Sequence, residues 1–241
     1  MLFSDKNLKK IIIDDTHRHV YIGDLVKDPH HIKRTLRSEN EEDVYDWGEN
    51  ERKFLGDILA SSRWGVVLLG NPGYGKTSEL KDFAVELWET RDLRMHIPKY
   101  ERLRDFNSGM SIEDLLPANY QNIGSLVVVL DGIDEIHDIA DFTNKLRRFS
   151  SEKRQYLKDG SIKFVISCRT NIYLKYIKVI ENLEPYFLNG VSEGGAVRFL
   201  YNKFNIDLIG RKEFDFWRFR DIIQNPFYLE MIGKSLMVNP N

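Results

Sequence analysis

The chain has 241 residues, 35 basic against 37 acidic side chains for a net charge of −2, and 42% hydrophobic residues. That is room for one large domain or one and a half, with a core that needs no disulfides or metal staples. The charge balance excludes whole-molecule attraction to nucleic acid or acidic membrane, leaving at most a local basic patch. The single cysteine, Cys168, excludes an intramolecular disulfide framework.

The start, MLFSDKNLKK, has no apolar stretch behind its charges and does not read as a secretory signal. Runs such as VVLL and LVVVL are too short to span a bilayer. A cytoplasmic location, with no membrane partner, is the default expectation.

Residues 1 to about 40 are weakly patterned. Ile11 to Asp14 and the stretch around Val20 are candidates for short strands. KDPHHIKRTLRSENEED is polar and predicts a loop or a loose helix. His30 and His31 have no cysteine nearby and no helical i, i+4 spacing, so they read as solvated loop residues rather than metal ligands. From Glu42 to Ser62 the spacing of Val44, Trp47, Phe54, Leu55, Ile58 and Leu59 predicts a helix. Trp64 reads as core and leads into GVVLLG, a continuous apolar run that suits a strand covered on both faces.

Structure types then alternate. Lys76 to Thr90 predicts a helix with Leu80, Phe83, Ala84 and Leu87 on one face. Leu93 to Pro98 is a strand candidate. Ser111 followed by Asp114 is a capping-box pattern. Ser125 to Asp131 (SLVVVLD) is the clearest strand, Phe142 to Phe149 an amphipathic helix, Ile162 to Ser167 another strand, and YFLNG near Tyr186 a short fifth. Everything after Ser192 reads as helix. The expected fold is α/β, a three-layer sandwich with a mostly parallel five-stranded sheet plus a small C-terminal helical lid. The expected division is 1–62 for a leading segment and helix, 63–191 for the core and 192–241 for the lid.

The run GVVLLG passes directly into GNPGYGKT, which fits G-x-x-x-x-G-K-[ST] without deviation. Such a loop folds into a nest of N–H groups that face phosphate oxygens, and Gly73 and Gly75 give it conformational freedom. The helix that starts near Lys76 adds the positive end of its dipole. The residues expected to bind nucleotide are therefore Gly70, Asn71, Pro72, Gly73, Tyr74, Gly75, Lys76, Thr77 and Ser78. Lys76 reaches the β- and γ-phosphates, and the Thr77 hydroxyl holds Mg²⁺.

SLVVVLDGIDE ends in three acids. In P-loop proteins a strand beside the P-loop strand ends in an acid that positions magnesium, and Asp131 occupies that strand end. Glu135 lies further into the loop, where a carboxylate can orient and deprotonate attacking water. Asp134 suits either task. Gly132 lets the chain turn sharply after the strand.

The acidic segment resembles the hhhhD-small-h-D-E pattern of the STAND NTPases, specifically the NACHT group, whereas the simpler AAA+ pattern places its two acids together. KFVISCRT resembles that group's sensor 1 segment, which implies that Arg169 approaches the γ-phosphate. YFLNGVSEGGAVRFLYNKF resembles the strand and first lid helix, and NPFYLEMI the segment whose proline, here Pro226, lies near the adenine. HIPKYERLRDFNSGMSIEDLL resembles the stretch between the P-loop helix and the magnesium motif. The resemblance covers about Trp64 to the end.

It implies an ATP/ADP switch with Mg²⁺, with Lys76, Asp134, Glu135 and Arg169 serving slow hydrolysis. It also implies nucleotide-controlled homo-oligomerisation in a full-length context and a bacterial antiphage role. The group's winged-helix subdomain would fall beyond Asn241, so the chain reads as a module lacking sensor and effector parts. Alternatives are a AAA+ ATPase acting on DNA, or a scaffold that holds nucleotide without turnover. For DNA, Arg147 and Arg148, with Lys145, Lys153 and Arg154, form the local basic candidate; the simpler reading is a solvated helix end. Cys168 reads as a buried structural thiol. FDFWRFR, with Phe214, Trp217 and Asp221 on one face, reads as lid packing.

Overall fold

Apolar runs bounded by glycine and polar turns form strands here, and their order in the sheet decides which loops meet. The computed structural model describes residues 13–39, 53–91, 96–207 and 220–238. In chain order they form β1 (Leu36–Ser38), α1 (Leu55–Ser61), β2 (Gly65–Leu69), α2 (Lys76–Glu89), β3 (Ile97–Arg102), β4 (Leu126–Asp131), α3 (Ile139–Glu152), β5 (Ile162–Cys168) and β6 (Leu183–Leu188). Two longer helices follow, α4 (Glu193–Phe204) and α5 (Pro226–Val238).

The sheet order is β1-β6-β2-β5-β4-β3. All neighbours are parallel except β1 and β6, which pair antiparallel with Leu36 opposite Leu188. Every residue of β2 and β4 is buried, as continuous apolar strands between two helical layers require. Core packing includes an edge-to-face contact of Phe149 on Phe164 with ring centroids 6.0 Å apart. Trp64 is buried at the start of β2, as expected. A second, separate core lies in the C-terminal helices, where Ala196 and Leu200 of α4 meet Ile223 and Leu229.

Several expectations are corrected. The sheet has six strands, because part of the polar segment expected to be loop or loose helix supplies β1. Three residues suffice there because Leu36 is buried and its N–H donates to Lys53 O at 2.9 Å. The same folding buries His31, whose side chain is 8% exposed and bonded to Glu79, so it is not a solvated loop residue. The strand expected near Val20 is a helical turn, Arg18–Tyr21, closed by the Arg18 guanidinium on the Gly23 and Leu25 carbonyls. Asp14 is not in a strand either; it caps a 3-10 turn by accepting from Thr16 N at 3.0 Å.

Of the strand predicted at Leu93 to Pro98, residues 93–95 lie outside the described residues, and the described strand is Ile97–Arg102. Pro98 is tolerated because β3 is an edge strand. Finally, β4 does not lie beside the P-loop strand, because β5 is inserted between them. Parallel crossovers can skip a position, and nothing local in the chain encodes that skip. Val44, Trp47, Phe214 and Trp217 lie outside the described residues.

Candidate functional site

Strands β2, β4 and β5 are mutually parallel, so their C-terminal ends emerge at one edge of the sheet. In open α/β sheets this edge is where ligands bind. Here it collects the glycine-rich loop after β2, Asp131 at the end of β4, and Ser167 to Arg169 at the end of β5.

The loop takes the shape its glycines permit. Gly73 and Gly75 have φ of 77° and 73°, a region side chains rarely enter. Gly75 immediately precedes α2, so the first turn of that helix opens into the loop. Gly70 is buried, Tyr74, Gly75, Lys76 and Thr77 are half-buried, and Asn71, Pro72, Gly73 and Ser78 are exposed. The Lys76 ammonium turns back over the loop and donates to Gly70 O at 2.6 Å and Asn71 O at 3.3 Å. Burial pushes the Lys76 pKa below the ordinary lysine value, and the nearby Asp134 carboxylate offsets part of that.

Asp131 is 4% exposed and densely hydrogen-bonded. Its Oδ1 accepts from Thr77 Oγ1 at 3.2 Å and Ser167 Oγ at 2.7 Å, and its Oδ2 accepts from Tyr100 OH at 2.9 Å. Ser167 Oγ also accepts from Gly132 N at 2.7 Å, which ties the turn after β4 to β5. Thr77 and Asp131 thus come together at the end of β4. They offer hard oxygens of the kind Mg²⁺ takes alongside phosphate and water. Among the described residues no group of three or more His, Cys, Asp or Glu could form an all-protein metal cage. The Thr77 hydroxyl and the Asp131 carboxylate are donors that fit a metal arriving with phosphate.

Arg169 Nε is 2.6 Å from Asp134 Oδ2, with the arginine half exposed and the acid largely buried. The exposed Glu135 folds back over Gly132. A Cβ on Gly132 would lie 3.1 Å from Glu135 Cδ, and Gly132 has φ of 84°, a backbone conformation that favours glycine. Cys168 is buried, which raises its thiol pKa to about 12.

The C-terminal helices reach this edge too. A Cβ on Gly75 would be 3.7 Å from Pro226 Cγ, and one on Gly73 would be 3.5 Å from Phe227 Cβ. Asn225 Oδ1 accepts from Phe227 N at 3.0 Å and so caps α5 beside the loop. Arg147 and Arg148 are exposed on α3, where Arg148 pairs with Glu152 at 2.7 Å.

Tyr100, Ser167 and Arg34, whose guanidinium donates to Tyr74 O and Gly75 O, are site contacts that no motif marks. Ser167 was within reach, since it precedes the sensor residue on a predicted strand. Tyr100 and Arg34 carry no local signal, because each arrives through the sheet order.

No protein-family model and no curated protein matches the sequence. Solved structures do match. The Walker-type ATPase PABY2304 of Pyrococcus abyssi aligns at 16% identity and TM-score 0.49, covering 78% of this chain and 66% of that one. The replication initiator DnaA bound to AMPPCP and single-stranded DNA aligns at 17% identity and TM-score 0.52, covering 78% of this chain and 60% of that one.

The fold is that of a P-loop NTPase. The chain spans under two thirds of the length of either structure. Within this P-loop fold the extra helices α4 and α5 correspond to a lid. No helix among the described residues is long and apolar enough to cross a membrane.

Proposed function

We propose that the chain binds ATP and hydrolyses it slowly, as the switch module of a signal-transduction NTPase. The observation that carries this reading is the convergence of Lys76, Thr77, Asp131 and the Arg169–Asp134 pair at one sheet edge, beneath Pro226 of the lid. In this reading the loop N–H groups and Lys76 take the phosphates, and Lys76 exchanges its Gly70 and Asn71 carbonyl partners for phosphate oxygens. Thr77 and Asp131 would hold Mg²⁺, which would supply charge neutralisation for the phosphates. Glu135 orients a water and takes its proton. The water oxygen bonds to the γ-phosphorus, the bond to the β,γ-bridging oxygen breaks, and ADP leaves with that electron pair. Arg169 reports the γ-phosphate by exchanging Asp134 for it, and Pro226 carries the change to the lid.

Nucleotide-controlled homo-oligomerisation and antiphage defence remain part of the proposal through the NACHT resemblance. The DNA reading gains little from the surface. Arg148 is paired with Glu152, and Lys145 with Asp141 at 2.7 Å, which compensates two of the five basic residues there. The test is ATP turnover by Lys76→Ala and Glu135→Gln. Lys76→Ala should lose nucleotide binding, and Glu135→Gln should bind ATP yet turn over at least about tenfold more slowly. Unchanged turnover in both sinks the assignment.

A further inference from the structure

Arg34 lies 40 positions before Tyr74 in the chain, outside every motif, yet it is bonded to the P-loop itself. Its side chain is 3% exposed. Its guanidinium donates through Nη1 to Tyr74 O and through Nη2 to Gly75 O, the latter at 3.0 Å. Its Nε lies 3.6 Å from Glu79 Oε2, and Glu79 is itself 4% exposed in the first turn of α2. The same Glu79 oxygen is 3.1 Å from His31 Nε2, so the carboxylate is held from both sides. Downstream of Arg34 the chain is fastened to the sheet: Thr35 O accepts from Asn189 N at 3.1 Å, and β1 pairs with β6.

A buried guanidinium is costly in water-free surroundings, and such charges persist where they are paired and placed. The placement here has a chemical consequence. Tyr74 C=O shares one planar peptide with Gly75 N–H, and Gly75 C=O shares the next with Lys76 N–H. In a trans peptide the two dipolar ends point opposite ways. A cation that holds both carbonyls on one side therefore holds both N–H groups toward the other, the side on which a phosphate-binding loop takes its ligand. It also strengthens those N–H groups as donors, because hydrogen-bonded peptides polarise one another. Arginine suits this task, since its planar fork presents two donors in a fixed geometry to the two carbonyls, whereas an ammonium is a point charge on a flexible stem.

We propose that Arg34 is a positioning residue for phosphate binding, aligning and polarising the Gly75 and Lys76 N–H groups through the carbonyls behind them. Glu79, braced by His31, sets the guanidinium in place. This rests on the reading of Gly70 to Thr77 as the phosphate-binding loop.

The test titrates wild type, Arg34→Lys, Arg34→Met and Lys76→Ala with ATP and, separately, with inorganic pyrophosphate. Backbone amide spectra are recorded before ligand is added. Arg34→Lys keeps a buried cation for Glu79, so it guards against an unfolded Arg34→Met. Both Arg34 variants should weaken ATP and pyrophosphate alike, by about tenfold for Lys and more for Met. In ligand-free Arg34→Lys the Gly75 and Lys76 amide resonances should move upfield, while those of β4 stay in place. A purely structural role would lower stability without moving those two amides selectively. Wild-type affinity for both ligands with unmoved Gly75 and Lys76 amides in Arg34→Lys overturns the inference and leaves the loop reading intact. A loss confined to ATP, with pyrophosphate unaffected, also overturns it, since Arg34 would then act on the nucleoside. Failure of folded wild type to bind ATP overturns both readings together.

Discussion

Asp131 is a buried carboxylate whose oxygens accept from three hydroxyls, those of Thr77, Ser167 and Tyr100. Each donor fixes the direction of a carboxylate oxygen. Tyr100 is tied most closely to this arrangement, because burial and the adjacent Asp131 carboxylate both push its phenol pKa upward. It therefore stays a donor at any working pH. Tyr100→Phe removes the partner of Asp131 Oδ2 and should cost about 1–3 kcal/mol in urea unfolding. A change under about 0.3 kcal/mol would show that water replaces the phenol. Cys168 gives a second residue-scale prediction. Its thiol is raised from 9.0 to about 12, so the folded state favours the neutral form. That contribution is complete below the unfolded pKa, falls as pH rises above about 9, and is lost through about 12. Native protein at a pH of about 8 should resist a thiol reagent that labels the urea-unfolded chain at once, and labelling at equal rates would contradict the burial argument.

At the scale of elements, two glycines fix close approaches. A Cβ on Gly65 would lie 1.9 Å from Phe164 O of the neighbouring strand, at a φ of 144°. Gly65→Ala should thus separate β2 from β5 where they begin to pair, and soluble expression should fall sharply. Gly233 on α5 faces the Phe204 ring of α4, and a Cβ there would lie 2.4 Å from the ring carbons. Gly233→Leu should drive α4 and α5 apart while sparing the main sheet, because the C-terminal helices have their own core. Hydrogen exchange distinguishes this: amides of α5 should lose protection while those of β4 keep it. Uniform loss would mean that the two cores melt as one. The capping box at Ser111 was legible from local sequence, and Ser111 N does donate to Asp114 Oδ2 at 2.7 Å. β1 was not, since three residues become a strand only when β6 is there to pair with.

At the scale of the whole molecule, the site lies where two cores meet. The sheet supplies the loop and the acids, while the lid supplies Asn225, Pro226 and Phe227 against Gly73 and Gly75. A ligand held on the loop beneath those residues should stabilise both units. At about 100 times its Kd, nucleotide should add about 2.7 kcal/mol to stability. Under the proposed function, ATP should also raise hydrogen-exchange protection in α4 and α5. Protection confined to the sheet would separate nucleotide binding from lid movement.

Most of the longer elements, and the glycine-rich loop between a strand and a helix, were legible in the chain alone. A glycine-rich turn followed by Lys76 and Thr77 has few physical alternatives between a buried strand and a helix, and Asp131 at a strand end is local information as well. Adjacency came from packing. The insertion of β5 between β2 and β4 brings Ser167 to Asp131, and β3 at the far edge delivers Tyr100 to the same carboxylate. The antiparallel return of β1 carries Arg34 to the back of the loop. Periodicity reports which face of an element is buried. It is silent on which element covers that face, because strand order is settled by packing among segments far apart in the chain.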